Sequence, residues 1–360
     1  MNAQPNTITI ADHTYDASAF LNRETTLLGA SDDAQQLFEF LKNWFTDSPC
    51  ISVKTSGSTG EPKQMQVEKQ RMIQSALLTC EFLKLKKGDS ALLCMPLDYI
   101  AGKMMVVRAL VTGLNLHIVT PSATPLEHAA RHFAFAAMTP MQIFSSLQSE
   151  PDRAWLMAIE NLIIGGGAVD AKMAQALKAF PNKVYATYGM TETLSHIAMR
   201  RLSGNTASEC YYPFSSVQLS LSEPDNTLII NAPLVTCETL CTNDVAHINE
   251  DGSFKILGRK DNTINSGGIK IQAEEVEALL QPVINGVFAI TSMPDERYGE
   301  IVVLAVENDI DTYLEQRIRS TLPKYFVPKK IIKLEKIPLT ETQKIKRTEL
   351  KKLVLEIIIY

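Results

Sequence analysis

The chain has 360 residues, 45% of them hydrophobic and 21% charged, the composition of an ordinary globular protein long enough for two domains. A formal charge of −5 speaks against a nucleic-acid partner, which would call for a basic face. No apolar run reaches the length of a membrane span, because the longest, residues 104–111, is interrupted by Arg108.

The first twenty residues are polar and lack the basic-then-apolar order of a signal peptide. The six cysteines (Cys50, Cys80, Cys94, Cys210, Cys237, Cys241) form no CxxC pair and have no partnering histidines. Free thiols in a reducing, cytoplasmic setting are therefore expected. Apolar residues at helical spacing (Leu37, Phe38, Leu41, Phe45) after Asp32-Asp33 predict a helix over 34–45. Ile51-Ser52-Val53 then reads as a strand leading into Thr55-Ser56-Gly57-Ser58-Thr59-Gly60-Glu61-Pro62-Lys63. The glycines allow positive φ and close approach to a ligand, and successive N–H groups can form an anion-binding nest. The hydroxyls add donors and Lys63 adds a point charge, so the segment reads as a phosphate grip. It is not the ordinary P-loop, since Pro62 precedes the lysine and Gln64 follows it.

A helix over 68–85 leads through Gly88-Asp89 to a strand over 91–95. A second helical stretch precedes the strand Leu116-His117-Ile118-Val119. Asn161-Leu162-Ile163-Ile164 ends in Gly165-Gly166-Gly167, and a helix over 172–179 leads to Lys183-Val184-Tyr185-Ala186-Thr187. Strands alternating with helices, each strand ending at a glycine or hydroxyl cluster, predict an α/β sheet with its site at the strand ends. After residue 205 the segments become short and alternating (216–221, 227–230), which predicts a small antiparallel sheet or barrel. Beyond Gly258 the pattern is α+β, with helices over 273–280 and 312–321 and strands over 287–290 and 301–306. The charged stretch Gly258-Arg259-Lys260-Asp261-Asn262 divides a domain 1–258 from a domain 259–360. Lysines gather near the end (Lys324, Lys329, Lys330, Lys333, Lys336, Lys344, Lys346, Lys351, Lys352) as a solvated basic face or an attraction for a polyanionic cosubstrate.

Four further segments carry chemistry. Tyr188-Gly189-Met190-Thr191-Glu192 follows a strand; glycine permits a tight exit, Tyr188 can stack on a base, and Glu192 can hold magnesium. The carboxylate of Thr242-Asn243-Asp244 can take ribose hydroxyls. Gly258-Arg259-Lys260-Asp261 is followed by Ser266-Gly267-Gly268 and Glu274-Glu275-Val276-Glu277. Pro338-Leu339-Thr340-Glu341-Thr342-Gln343-Lys344-Ile345-Lys346-Arg347 closes the series. Taken alone, Glu192 reads as a solvated surface carboxylate, Asp244 more often as a turn residue, and Lys344 as a solvated lysine of a basic tail. In this order, from about residue 50 to about residue 350, the segments resemble the signatures of the adenylate-forming superfamily of acyl-CoA synthetases, luciferases and peptide-synthetase adenylation domains.

The resemblance implies a large N-terminal domain of layered α/β sheets with a small β-barrel-like subdomain, followed by a small mobile α+β domain. It implies that Thr55, Ser56, Gly57, Ser58, Thr59, Gly60 and Lys63 hold the β- and γ-phosphates of ATP. Gly166, Gly167 and Ala168 would border the adenine and acyl pockets, with Tyr188 stacking on adenine from the turn that Gly189 and Met190 continue. Thr191 would touch the α-phosphate, Glu192 the magnesium ion, and Asp244 and Arg259 the ribose. Asp261 would be the hinge and Lys344 the catalytic lysine.

Within the superfamily, residues 188–196, the Gly165-Gly166-Gly167 run and Ser266-Gly267-Gly268 are most similar to the o-succinylbenzoate–CoA ligases of menaquinone synthesis, in a short form. That likeness implies ATP, Mg²⁺ and coenzyme A acting with a small carboxylic acid, and neither a membrane nor a nucleic-acid partner; an oligomer is compatible with it. An acyl pocket is then expected around Tyr99, Gly102, Lys103, Gly165, Ser195 and His196. The sequence departs from the family pattern in its early loop at residue 55, in Asn243 and Gln343 where glycines are usual, and in Tyr99 where histidine is common. Another aryl- or acyl-CoA synthetase, a carrier-loading enzyme and a non-catalytic nucleotide-binding module are the alternatives. Retention of both Lys344 and Glu192 speaks against the last.

Overall fold

In a computed structural model describing residues 5–22, 28–29, 31–54, 64–129, 131–309, 312–339 and 345–359, strand Phe133–Met138 is buried at all six positions. Burial on both faces is what a near-continuous apolar run such as Phe133-Ala134-Phe135-Ala136-Ala137-Met138 requires, and it marks the centre of a covered parallel sheet. That sheet has nine strands. Six pair in parallel, in the spatial order Lys183–Gly189, Ile159–Ile164, Phe133–Met138, Ser90–Leu93, Asn115–Ile118 and Thr7–Ile10. Antiparallel strands His196–Arg201 and Tyr212–Pro213 close one edge, and His13–Asp16 closes the other. The strand order reverses between Ser90–Leu93 and Phe133–Met138, a switch point whose carboxyl ends form a ready crevice.

The chain divides into two compact units. The nine-stranded sheet lies in the first, with helices Asp32–Phe45, Lys69–Leu83 and Ile100–Thr112 and the hairpin of Cys50–Lys54 with Gln64–Glu68. Helix Asp32–Phe45 is capped by Ser31 and buries Leu37, Phe38, Leu41 and Trp44 along one stripe.

The second unit holds a four-stranded sheet (Gln218–Leu221, Thr227–Asn231, Leu240–Ile248, Phe254–Arg259) and a five-stranded one. In the five-stranded sheet, strand Gly299–Val306 runs antiparallel to Phe288–Asp295 and parallel to Lys330–Lys333. Its residues alternate between two cores. Val302, Leu304 and Val306 join Val276, Leu280, Ile318 and Leu322 of helices Ala273–Leu280 and Thr312–Thr321 and the residue just beyond. Ile301, Val303 and Ala305 join Leu350 and Val354 of helix Arg347–Ile359. The mixed α/β architecture expected from the sequence is the one observed.

No helix among the described residues is long and apolar enough to cross a membrane. All six cysteines are free, and burial pushes the Cys94 thiol up to about 12, leaving it inert at neutral pH.

Candidate active site

In the first unit, two neighbouring parallel strands end side by side. Ile159–Ile164 runs out into Gly165-Gly166-Gly167, and Lys183–Gly189 into Tyr188 and Gly189, with Ile164 opposite Ala186. The Gly165 N–H donates to Met138 O (3.0 Å) and the Thr187 hydroxyl to Ile164 O (3.1 Å), tying three carboxyl ends together. A side chain at Gly189 would collide with the backbone of Ser195 and His196, so glycine is what lets the following loop fold back.

That loop is tightly made. The Thr193 hydroxyl accepts from Met190 N–H (2.9 Å), and Leu194 sits at φ +65° in a turn closed by Ser195 N–H to Thr193 O (2.7 Å). A buried leucine held in that region is locally strained, as segments that present functional groups often are. Glu192 is exposed, Thr191 half-buried, and the Tyr188 ring leans on Tyr211 at 5.9 Å.

No cluster of three or more metal-ligating side chains exists among the described residues. The lone open carboxylate of Glu192 fits magnesium, which takes one or two carboxylates and completes its shell with substrate phosphates and water.

Behind the loop runs a polar chain. Arg108, fully buried on helix Ile100–Thr112, donates through Nη2 to Ser195 Oγ (2.7 Å). Ser195 Oγ lies 3.2 Å from His196 Nδ1, and His196 Nε2 lies 3.0 Å from Thr79 Oγ1, whose hydroxyl donates to Ser75 O. The polarity follows from the arginine, which can only donate. Ser195 accepts from it and gives its own proton to Nδ1; the imidazole therefore carries its proton on Nε2 and donates to Thr79. Burial, and then the Arg108 charge, hold the His196 pKa well below its usual value, so the ring is neutral at pH 7.

A depressed histidine pKa means that the unfolded chain binds the extra proton first. Stability is full above the ordinary imidazole value of about 6.5 and falls as pH drops below it. Unfolding midpoints measured from pH 7.5 to 5.5 are expected to fall less steeply for His196→Gln than for the parent protein; equal slopes would place the titrating group elsewhere.

Arg108 is the residue that sequence reading missed. Among the described residues its Nε is buried without a partner, its Nη1 reaches only Met105 Sδ (3.7 Å), and no carboxylate pairs with it. Desolvation lowers it to about 10, still charged at neutral pH. The signal was present as a cation inside an otherwise apolar helical run.

Of the other expected acyl-pocket residues, Tyr99 is exposed just ahead of helix Ile100–Thr112, and Gly102 packs against the Pro96 carbonyl too closely for any side chain. Lys103 is half-buried, its ammonium 3.4 Å from the carbonyls of Ser52 and Asp98 and its pKa lowered by burial. It borders a cleft of about 720 Å³ between helix Asp32–Phe45, strand Cys50–Lys54 and the segment 97–103, and is the only candidate site residue there among the described residues.

The second unit brings together Asp244, Arg259 and Asp261. Asp244 stands opposite Arg259 across two antiparallel strands, 3.4 Å from its guanidinium, and Asp261 lies 3.5 Å from the same group. Residues 55–63 lie outside the described residues; the strands on either side of them pair, with Lys54 opposite Gln64. Lys344 also lies outside them, in a segment flanked by the bridge of Leu339 with Ile345 and by Lys346 N–H to Pro338 O (2.9 Å).

The sequence profile of the AMP-binding enzymes matches residues 9–229. A 2-succinylbenzoate–CoA ligase from Geobacillus sp. (strain WCH70) is 24% identical over 368 aligned residues, covering 92% of this chain and 74% of the relative. The crystal structure of an acyl-CoA synthetase (AMP-forming)/AMP-acid ligase II-like protein from Dyadobacter fermentans DSM 18053 is 32% identical with a TM-score of 0.63, covering 90% of this chain and 95% of that one. The o-succinylbenzoate coenzyme A synthetase of Bacillus subtilis, solved with ATP and magnesium ion, shares the fold at a TM-score of 0.68 and 21% identity, over 83% of this chain and 69% of that one.

Proposed function

The chain belongs to the AMP-binding enzyme family, and on that premise we propose that it is an AMP-forming acid–thiol ligase which activates o-succinylbenzoate with ATP and passes the acyl group to coenzyme A, in menaquinone formation. The observation that carries the substrate is Arg108. A fully buried guanidinium with no carboxylate partner among the described residues is a costly thing to keep in a fold. A diacid supplies the missing counter-charge: one carboxylate reacts and the other lies against Arg108 and Ser195. The Geobacillus relative, a 2-succinylbenzoate–CoA ligase, supports the same acid. All reactants are small and water-soluble, so a cytoplasmic reaction without membrane or nucleic acid suffices.

In the first half-reaction a carboxylate oxygen of the acid attacks the α-phosphorus of ATP. An O–P bond forms and the bond to pyrophosphate breaks. Residues 55–63 hold the departing phosphates, Tyr188 and the residues 165–168 hold the adenine, and Asp244 with Arg259 holds the ribose. Thr191 donates to the α-phosphate, and Lys344 neutralises the charge that develops there. Magnesium on Glu192 supplies further charge neutralisation when bound. In the second half-reaction the thiol of coenzyme A loses its proton, its sulfur attacks the acyl carbon, and AMP leaves. The chain beyond residue 258 turns about Asp261 between the two steps, withdrawing Lys344.

Pyrophosphate release is the test. The expected rate is highest on o-succinylbenzoate and low on benzoate, 4-phenylbutyrate and medium-chain fatty acids; no preference for the diacid overturns the substrate. Arg108→Met is expected to raise KM for the diacid about 10- to 100-fold, as loss of a charged hydrogen bond does, with KM for ATP unchanged. Its melting temperature should stay level or rise, because a buried unpaired charge is exchanged for an apolar side chain of similar volume. A falling melting temperature with unchanged KM would make Arg108 structural.

A further inference from the structure

Antiparallel strand His196–Arg201 lies beside the strand that carries Tyr188, and its residue Arg200 is bound to the loop that begins at Gly165 and to Tyr211, the ring that meets Tyr188. Arg200 stands opposite Ala186, two residues along from Tyr188, so both side chains leave the same face of the sheet. On the other side of that strand Met199 pairs with Tyr212, which puts Tyr211 one step further along, beside Arg200. The Arg200 guanidinium lies over the Tyr211 ring at 5.3 Å, and the Tyr211 ring in turn meets the Tyr188 ring at 5.9 Å, tilted by 57°. The same guanidinium donates through Nη2 to Val169 O (3.4 Å), at the end of the loop that begins Gly165-Gly166-Gly167. Its Nε is buried with no partner among the described residues.

We propose that Arg200 is a positioning residue for the nucleobase, acting on both walls of the adenine slot through the stack Arg200–Tyr211–Tyr188 and through the Val169 carbonyl. The proposal rests on the functional reading above for the role of Tyr188 and adds to it a residue that none of the recognised segments contains. The physical reason is that a half-buried tyrosine ring needs a fixed neighbour to present one face reproducibly. Tyr211 gives Tyr188 an edge to lean on, and the cation over Tyr211 fixes that ring where packing alone permits rocking. Arg200 also bears on the spacing of the two walls, since one planar guanidinium touches the Val169 carbonyl of one and Tyr211, the ring that backs Tyr188 of the other.

The test is calorimetric titration of ATP, which needs no knowledge of the acid, alongside steady-state KM values. Arg200→Met keeps the stem and removes the cation and the donor. It is expected to weaken ATP binding about tenfold, the size of a desolvated cation–π contact, and to leave KM for the acid within about twofold. Arg200→Lys keeps the charge without the fork and should recover part of the loss. Tyr211→Leu, which interrupts the stack and leaves Arg200 in place, should weaken ATP binding by a similar factor.

Should the parent protein fail to bind ATP, the functional reading falls and this inference with it. If the parent binds ATP and Arg200→Met and Tyr211→Leu bind it equally well, the inference alone is overturned. Were Arg200→Met to unfold, Arg200→Lys and Tyr211→Leu decide the matter by the same titration. Equal losses in KM for ATP and for the acid would make Arg200 a general structural residue and reject the proposal.

Discussion

Lys344→Ala is expected to slow adenylation about 10²–10³-fold, the usual result of removing one positioned donor from a developing oxyanion. Thioester formation from preformed acyl-adenylate should stay within a few-fold of the parent rate. The asymmetry follows from where charge develops. In the first half-reaction the α-phosphate passes through a crowded, strongly anionic state, and an ammonium beside it stabilises that state far more than it stabilises bound ATP. In the second half-reaction the reacting centre is an acyl carbon and the phosphate is only a leaving group, so under the proposed domain rotation a lysine carried away from it has nothing to contribute. The two half-reactions are measured separately, by pyrophosphate release and by consumption of synthetic acyl-adenylate. Equal losses in both would assign Lys344 to the fold and remove the ground for a two-position mechanism.

The sequence made some of this plain and hid the rest, and the difference is physical. Strand Ile159–Ile164 was visible in its last three residues, Leu162-Ile163-Ile164, which are apolar and buried as a covered parallel strand requires, and in the glycine run that follows them. Strand Gly299–Val306 was visible for the same reason, being buried on both faces. Tyr188, Ser195 and His196 could be named because they lie within one contiguous segment. What holds them could not. Arg108 reaches Ser195 across 87 positions of chain, and Thr79 reaches His196 across 117. Such contacts are set by strand order, and local spacing carries no trace of them. Tyr211 was hidden in another way: its place beside Arg200 depends on a two-residue strand, too short to leave any periodicity.

Arg347→Met is expected to destabilise the second unit by about 1.5–3 kcal/mol, the cost of losing charged hydrogen bonds in a partly buried ion pair. The pair is bidentate, with Arg347 Nη1 and Nη2 at 2.8 and 2.7 Å from the two oxygens of Glu277. It is also tied into the sheet, since Nη1 donates to Ile290 O and the Ile290 N–H donates to Glu277 Oε1. Without the arginine, Glu277 keeps its backbone donor but loses its cation, with Glu274, itself 3.5 Å from the guanidinium, left beside it. Two neighbouring carboxylates of which one is 16% exposed cannot both stay ionised cheaply. The double variant Glu277→Leu with Arg347→Met removes both charges, leaves neither partner unpaired, and should recover most of the stability. Chemical denaturation of the single and double variants measures this, and a single variant as stable as the parent would show that the pair contributes nothing net. Arg347 is also the first residue of helix Arg347–Ile359 and lies three positions beyond Lys344. An apolar pair can hold the helix, but it cannot reproduce the fixed planar contact from that first residue to Ile290. The double variant should therefore regain its stability and still adenylate more slowly than the parent, with thioester formation spared; full recovery of both would confine the pair to folding.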